Sequence, residues 1–175
     1  MKIILAMVLS VDGKSTKHDL PDQSWASSED GKHLSKLISG NNLILMGGKT
    51  YRLVKSHIKL SKGKLRVVVT HDPSKFVDDE IKDQLEFVNK PVREIVGDLG
   101  ERGYNQMLLL SGENLNKEFF EENLIDEIYL TVEPKIFGSG KEMIAESELD
   151  VNLQLMEMGK LNEQGTILLR YKVVK

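Results

Sequence analysis

Residues 43–51 read LILMGGKTY, an apolar run that enters two glycines, a lysine and a threonine without a break. A short continuous apolar run is the pattern of a β-strand covered on both faces. Two glycines directly after it, ahead of residues that suit a helix, make a strand-to-helix turn. At such a turn the first helical N–H groups have no partner in the helix, and the helix dipole adds partial positive charge, so an anion is favoured. Gly47, Gly48, Lys49 and Thr50 are therefore candidates for holding a phosphate of a nucleotide. The alternative is a plain tight turn, because the spacing is neither a Walker loop nor a GxGxxG fingerprint.

The same pattern recurs outward from this stretch. Residues 107–115, MLLLSGENL, are again a buried-type strand entering a Ser111-Gly112 turn and a helix. Residues 66–70, RVVVT, end a strand at Thr70, and residues 2–9 are almost continuously apolar. In an open parallel sheet, ligands bind outside the carboxyl ends of the strands, so three converging ends predict a crevice on that edge. Read alone, Thr70 is a strand terminator.

Between the strands, Ser27 with Asp30 resembles a capping box, and Leu34, Leu37 and Ile38 give an apolar stripe up to Gly40. Further helices are expected near Lys49, over 92–99 and over 114–123, the last with Leu115, Phe119 and Phe120 inward. Strand alternating with helix means an α/β sheet with crossovers and parallel central strands. From residue 125 the pattern changes. Residues 125–132 read as a strand, 151–158 alternate apolar and polar, and a final apolar stretch ends at Val174. The last two strands are expected to form an antiparallel hairpin turned at residues 162–165.

Composition narrows the function. A chain of 175 residues with 40% hydrophobic content fills one substantial core, so one domain over 1–175 is expected. Twenty-four basic against 27 acidic residues, without a long like-charged run, argue against nucleic acid as a partner. There is no cysteine, and His18, His33, His57 and His71 have no paired ligand spacing, so no metal site is expected. The opening MKIILAMVLSVDGK has an apolar run too short to span a bilayer and ends in Asp12-Gly13 rather than a cleavage site. It reads as the first strand of a cytoplasmic protein.

Four places carry candidate chemistry. Asp12 and Gly13 open a long polar loop over 15–28, in the manner of a lid, or serve as an ordinary turn. Trp25, the one tryptophan, is a core anchor or a wall for a planar ligand. Glu29 and Asp30 sit in the first turn of a helix, where carboxylates are stabilising in any case, and one of them can serve a substrate if the helix faces the crevice. Thr131 to Pro134, followed by Phe137 to Gly140, is a strand exit into a glycine-containing loop, which closes over a ligand or turns a corner.

Six segments in order, SVDGK (10–14), WASSED (25–30), LILMGGKTY, VVVTHDP (67–73), LLLSGENL (108–115) and LIDEIYLTVEPKIFGSG (124–140), resemble the dihydrofolate reductase-like superfamily. Within it the chain resembles the reductase domain of bacterial riboflavin biosynthesis proteins, over nearly its whole length. The resemblance implies a three-layer fold, with a mostly parallel central sheet flanked by helices and a C-terminal antiparallel hairpin. It also implies NADPH as hydride donor, a pyrimidine-like or pterin-like substrate, and a homodimer. By position, Gly47 to Thr50 resemble the turn at the cofactor phosphate, and Thr70 the hydroxyl near the adenosine 2′-phosphate. Ser111, Gly112, Glu113, Asn114 and Leu115 resemble the loop under the pyrophosphate. Ala6 and Val8 would meet the nicotinamide, and Asp12 and Gly13 would cover it. Asp12 and Glu29 are the expected catalytic or substrate-binding carboxylates, with Trp25 and Thr131 beside the substrate. Glu29 or Asp30 also lies near the buried helix-one carboxylate of dihydrofolate reductases, so a folate reductase is the second reading. A nucleotide-binding dimer without chemistry is the third.

Overall fold

The computed structural model describes residues 1–20 and 22–175. Pro21, part of the polar loop expected over 15–28, lies outside the described residues. In chain order the strands and α-helices are β1 (Lys2–Ser10), α1 (Ser28–Gly40), β2 (Leu43–Gly47), α2 (Gly48–Val54), β3 (Leu65–Val69), β4 (Leu85–Val88), α3 (Val92–Glu101), β5 (Gln106–Leu109), α4 (Glu113–Glu121), β6 (Glu127–Glu133), β7 (Leu153–Lys160) and β8 (Ile167–Val173). Short 3₁₀ segments cover Lys55–His57 and Pro73–Asp79. The strands make one sheet in the order β4-β3-β2-β5-β1-β6-β8-β7, parallel from β4 to β6, with β8 antiparallel to both β6 and β7. The fold is the dihydrofolate reductase-like α/β architecture.

The path explains the layers. Strands β2, β3 and β4 step to one side of β1, and the chain then returns to insert β5 and add β6. With right-handed crossovers, such a reversal puts the early helices on one face and the late helices on the other. Two buried clusters record this. Ile3, Leu5, Leu43 and Leu45 pack under Ile95 of α3 and Phe119 of α4, while Ile4, Ala6, Ile44 and Met46 pack under Tyr51 of α2 and the half-buried Leu37 and Ile38 of α1. Alternate residues of β1 and β2 thus serve opposite faces, and burying each such large side chain contributes about 1.5–3 kcal/mol.

Three expectations are corrected. β4 was not among the expected strands. The strand expected over 125–132 starts at Glu127, because Asp126 is used outside the ladder: its side chain accepts the Ile3 N–H at 2.7 Å. The alternation over 151–158 predicts a half-buried strand, yet apart from half-buried Gly159 every residue of β7 is exposed. β7 is the sheet edge, no layer covers either face, and an irregularity between Leu155 and Glu157 breaks its register. Its hairpin partner and turn are as expected, with Gly165 at φ 98° donating to the Asn162 carbonyl.

Candidate functional site

The carboxyl edge of the parallel strands collects most of the candidate residues, in two halves separated by β1. The half over β2, β3 and β5 is built of backbone. Gly47 is the N-cap of α2 and Gly112 that of α4, and neither supplies a side-chain cap, so first-turn amides point outward unclaimed. Gly48 is closely packed: a Cβ there would lie 3.3 Å from Cβ and Oγ1 of Thr70, which would have to give by a few tenths of an ångström, while one on Gly47 would meet Leu115 at an ordinary 3.8 Å. The first glycine turn thus lies against the end of β3, with Leu115 of α4 nearby. Lys49 is exposed and Thr50 half-buried beside them. Glu113 turns its carboxylate toward Lys141 at 3.7 Å. Ser111 is buried, and its hydroxyl donates to Oδ1 of Asn116, so Ser111 offers this edge its backbone rather than its side chain.

β1 outruns its neighbour. Pairing with β5 ends at Leu5↔Leu109, whereas pairing with β6 continues to Ser10↔Glu133. The Lys2 N–H donates to the Asn105 carbonyl on the β5 side, which fixes the even-numbered residues of β1 as those whose backbone faces β5. Ala6 stands at the end of β5 and Val8 beyond it, so the backbone of β1 there has no partner in the β5 ladder.

Asp12 does not face into this crevice as a free acid. Its carboxylate accepts the Ser10 hydroxyl at 2.6 Å and the N–H groups of Phe137 and Gly138, the latter at 2.7 Å. The Ser10 hydroxyl first, and then these amides, hold its pKa down to about 2. Asp12 is thus a clamp joining the loop after β1 to the loop after β6. More bonds run along the same seam: Ser15 N–H to the Lys141 carbonyl at 2.7 Å, and Lys14 to Glu142 at 2.7 Å. Gly140, at φ 144°, admits the Thr16 carbonyl where any Cβ would collide at 2.1 Å. Trp25 is buried against Phe137, ring centroids 5.0 Å apart and edge-on, and its Nε1–H has no acceptor among the described residues.

The second half, between α1 and β6, is built of carboxylates. Glu29 faces outward: it accepts from Ser28, lies 3.5 Å from Nδ2 of Asn162 and pairs with Lys32 at 3.6 Å, and its own N–H and Ser28 lower its pKa. Asp30 is the one buried residue of α1. Burial first, then the charge of Glu133, raises its pKa against the opposing effect of the Thr131 hydroxyl. Burial likewise lowers the pKa of His33, one turn along. Of the three carboxylates Asp30 is the buried one, whereas Asp12 is tied to the loop after β6 and Glu29 lies among Ser28, Lys32 and Asn162.

The RibD C-terminal domain model matches residues 1–167. The chain belongs to the RibD C-terminal domain family. It is similar to the uncharacterized protein YwjB of Bacillus subtilis (strain 168), with 25% identity and 88% of each chain covered. It superposes on a putative riboflavin biosynthesis protein from Shewanella sp. PV-4 with a TM-score of 0.76, at 20% identity and complete coverage of both chains. A dihydrofolate reductase from Enterococcus faecalis, complexed with NADP(H) and RAB-propyl, aligns with a TM-score of 0.70 at 17% identity, covering 99% of this chain and 97% of that one.

This RibD C-terminal domain also uses residues that sequence reasoning passed over. Asn116 is fully buried, receives the Ser111 hydroxyl, and donates to the Met143 carbonyl at 2.6 Å and to the Met7 sulfur at 3.4 Å. Its signal was a polar residue on the stripe of Phe119 and Phe120, at i+3 and i+4. Glu133 shares a face of β6 with Thr131, and both are 2% exposed. Two polar residues at i and i+2 on a buried strand face mark a site rather than a loop.

Proposed function

We propose that the chain is an NADPH-dependent reductase of the riboflavin-pathway type, acting on a pyrimidine-like metabolite related to 5-amino-6-(5-phosphoribosylamino)uracil. The observation that carries this reading is the register Val8↔Thr131. It sets the β1 backbone beyond the end of β5 next to Thr131, whose hydroxyl faces Asp30, so a nicotinamide ring on one side and a substrate on the other would be neighbours.

The residues fit the cofactor. Outward amides at Gly112 to Leu115 suit a pyrophosphate, and the contact of Gly48 with Thr70 leaves a cradle that a Cβ would fill. Lys49 and Thr70 suit a further phosphate. When bound, NADPH supplies a hydride to an electrophilic carbon of the substrate. Asp30 holds the accompanying proton for the adjacent nitrogen or oxygen, so that C=N becomes CH–NH and Asp30 is left as a carboxylate facing Thr131, to be reprotonated from water. The Asp12 clamp keeps two loops together over the edge, which excludes water and aligns the partners. The uncovered β7, with Leu155 50% and Met158 68% exposed, supports a homodimer formed through that edge.

A folate reductase is the second reading, favoured by Asp30 facing Thr131. The test is NADPH oxidation, followed by loss of nicotinamide absorbance, with a ribosylamino-pyrimidine and with dihydrofolate. Turnover of the first is expected. Turnover of dihydrofolate alone transfers the assignment to the second reading, and no oxidation with either contradicts both in favour of a non-catalytic dimer.

A further inference from the structure

Ser27 caps α1 by accepting the Asp30 N–H at 3.2 Å. In a capping box the residue at Asp30's position returns the favour, its own side chain accepting the N–H of the cap residue. Here Glu133 does this from another strand: its Oε1 accepts the Ser27 N–H at 2.7 Å. The Asp30 carboxyl is thereby released from capping and turned toward Thr131. The second oxygen of Glu133 accepts the hydroxyl of fully buried Thr166 at 2.8 Å, and Asn162 fixes Thr166 in turn, at 2.8 Å through Nδ2 and 3.0 Å through Oδ1.

We propose that Glu133 is a positioning residue that keeps the Asp30 side chain in its acid form, ready to give a proton to bound substrate. Glu133 takes the N–H of the same Ser27 whose hydroxyl accepts the Asp30 backbone N–H, and two carboxyl groups brought together in a buried site do not both ionise readily. Glu133 has an N–H and an O–H fixed on its two oxygens, so both are occupied and its side chain is held in place beside the cap. Asp30 faces a hydroxyl that can accept as well as donate, so the proton resides there.

The other groups around Asp30 do not reverse this. On α1, His33 is the one neighbour able to become a cation, and burial disfavours its charge. Thr131 on β6, and Asn162 and Thr166 on the hairpin, are neutral. Lys135 is occupied at the Trp25 carbonyl, 2.6 Å away, and Glu29 points to solvent beside Asn162. The inference rests on the reductase reading only for the use made of the proton.

The test is a carboxyl ¹³C NMR titration of the protein labelled at Asp and Glu, without cofactor. In the wild-type chain Asp30 is expected to titrate above the ordinary aspartate range, and the Glu133 resonance to respond at the Asp30 midpoint. Glu133→Gln keeps the acceptor for Ser27 and a contact to Thr166 but loses the charge. It should lower the Asp30 midpoint by at least about one unit, a tenfold change in proton affinity, while Glu29→Gln leaves it in place. An unmoved midpoint in Glu133→Gln overturns the proposal, as does an ordinary Asp30 midpoint in wild type or a Glu133 signal blind to it. If the variant does not fold, the wild-type titration decides. A failed titration beside active NADPH oxidation removes only this proposal, and a successful one without oxidation removes only the reductase reading.

Discussion

The two halves of the carboxyl edge are built on opposite principles. Over β2, β3 and β5 the molecule presents glycines, amides and small hydroxyls, with Glu113 drawn aside by Lys141 and Asp72 by Lys75. Across β1 it buries Asp30 and Glu133 at 8% and 2% exposure without a basic partner among the described residues. The first half suits an anion and needs few particular side chains, because the binding groups are backbone. The second suits a proton and depends on which carboxyl is buried. On the proposed reading, a hydride donor and an acid would lie on either side of one strand, the division of labour a reductase requires.

That contrast can be broken most severely at Asp30. Asp30→Asn is expected to lower turnover by about 10²-fold or more, the range for losing a general acid, with NADPH binding unchanged. The same variant should be more heat-stable than wild type at high pH. Because the folded pKa of Asp30 is raised, its contribution to stability is full below the unfolded value and is lost as pH rises through the folded one. Thermal unfolding at acidic and alkaline pH checks this, and an equal difference at both would refute it.

Next in size is Asp12→Asn. An amide cannot accept from the Ser10 hydroxyl and two N–H groups together, so the loops should part, raising KM for both ligands by roughly tenfold, with a smaller change in kcat. A fall in kcat alone would instead make Asp12 an acid. In wild type, the carboxylate's contribution to the clamp is full above the unfolded aspartate value and fades only as pH falls toward about 2. The smallest effect is that of Glu29→Gln, within about 0.5 kcal/mol in stability and without measurable effect on turnover; a large loss would move the acid back to Glu29.

The two halves also differed in how well they could be read beforehand. Gly47, Gly48, Thr70 and Gly112 were found because a buried strand running into glycine is a local signal, and the parallel arrangement then brings the strand ends together. Asp30 was weighed against Glu29, and the helical period favours Asp30, which shares a stripe with Leu34, Leu37 and Ile38 at i+4, i+7 and i+8. Glu133 and Thr166 were out of reach, since their bond joins residues 33 apart through the β6–β8 register. The partners of Asp12 were equally out of reach, because they come from a second loop more than a hundred residues away. The exposure of β7 was missed for a related reason: its alternation speaks of a buried face, and only the sheet order shows that nothing covers it.

The most direct test of the nucleotide half, and with it of the whole account, is titration of the purified protein with NADPH and with NADH, following the emission of Trp25. Saturable binding is predicted, tighter for NADPH, with that preference reduced in Lys49→Ala and Thr70→Ala and binding of both nucleotides weakened in Gly48→Val. Absence of binding by either nucleotide would contradict the account and leave the converging glycine turns as structure alone.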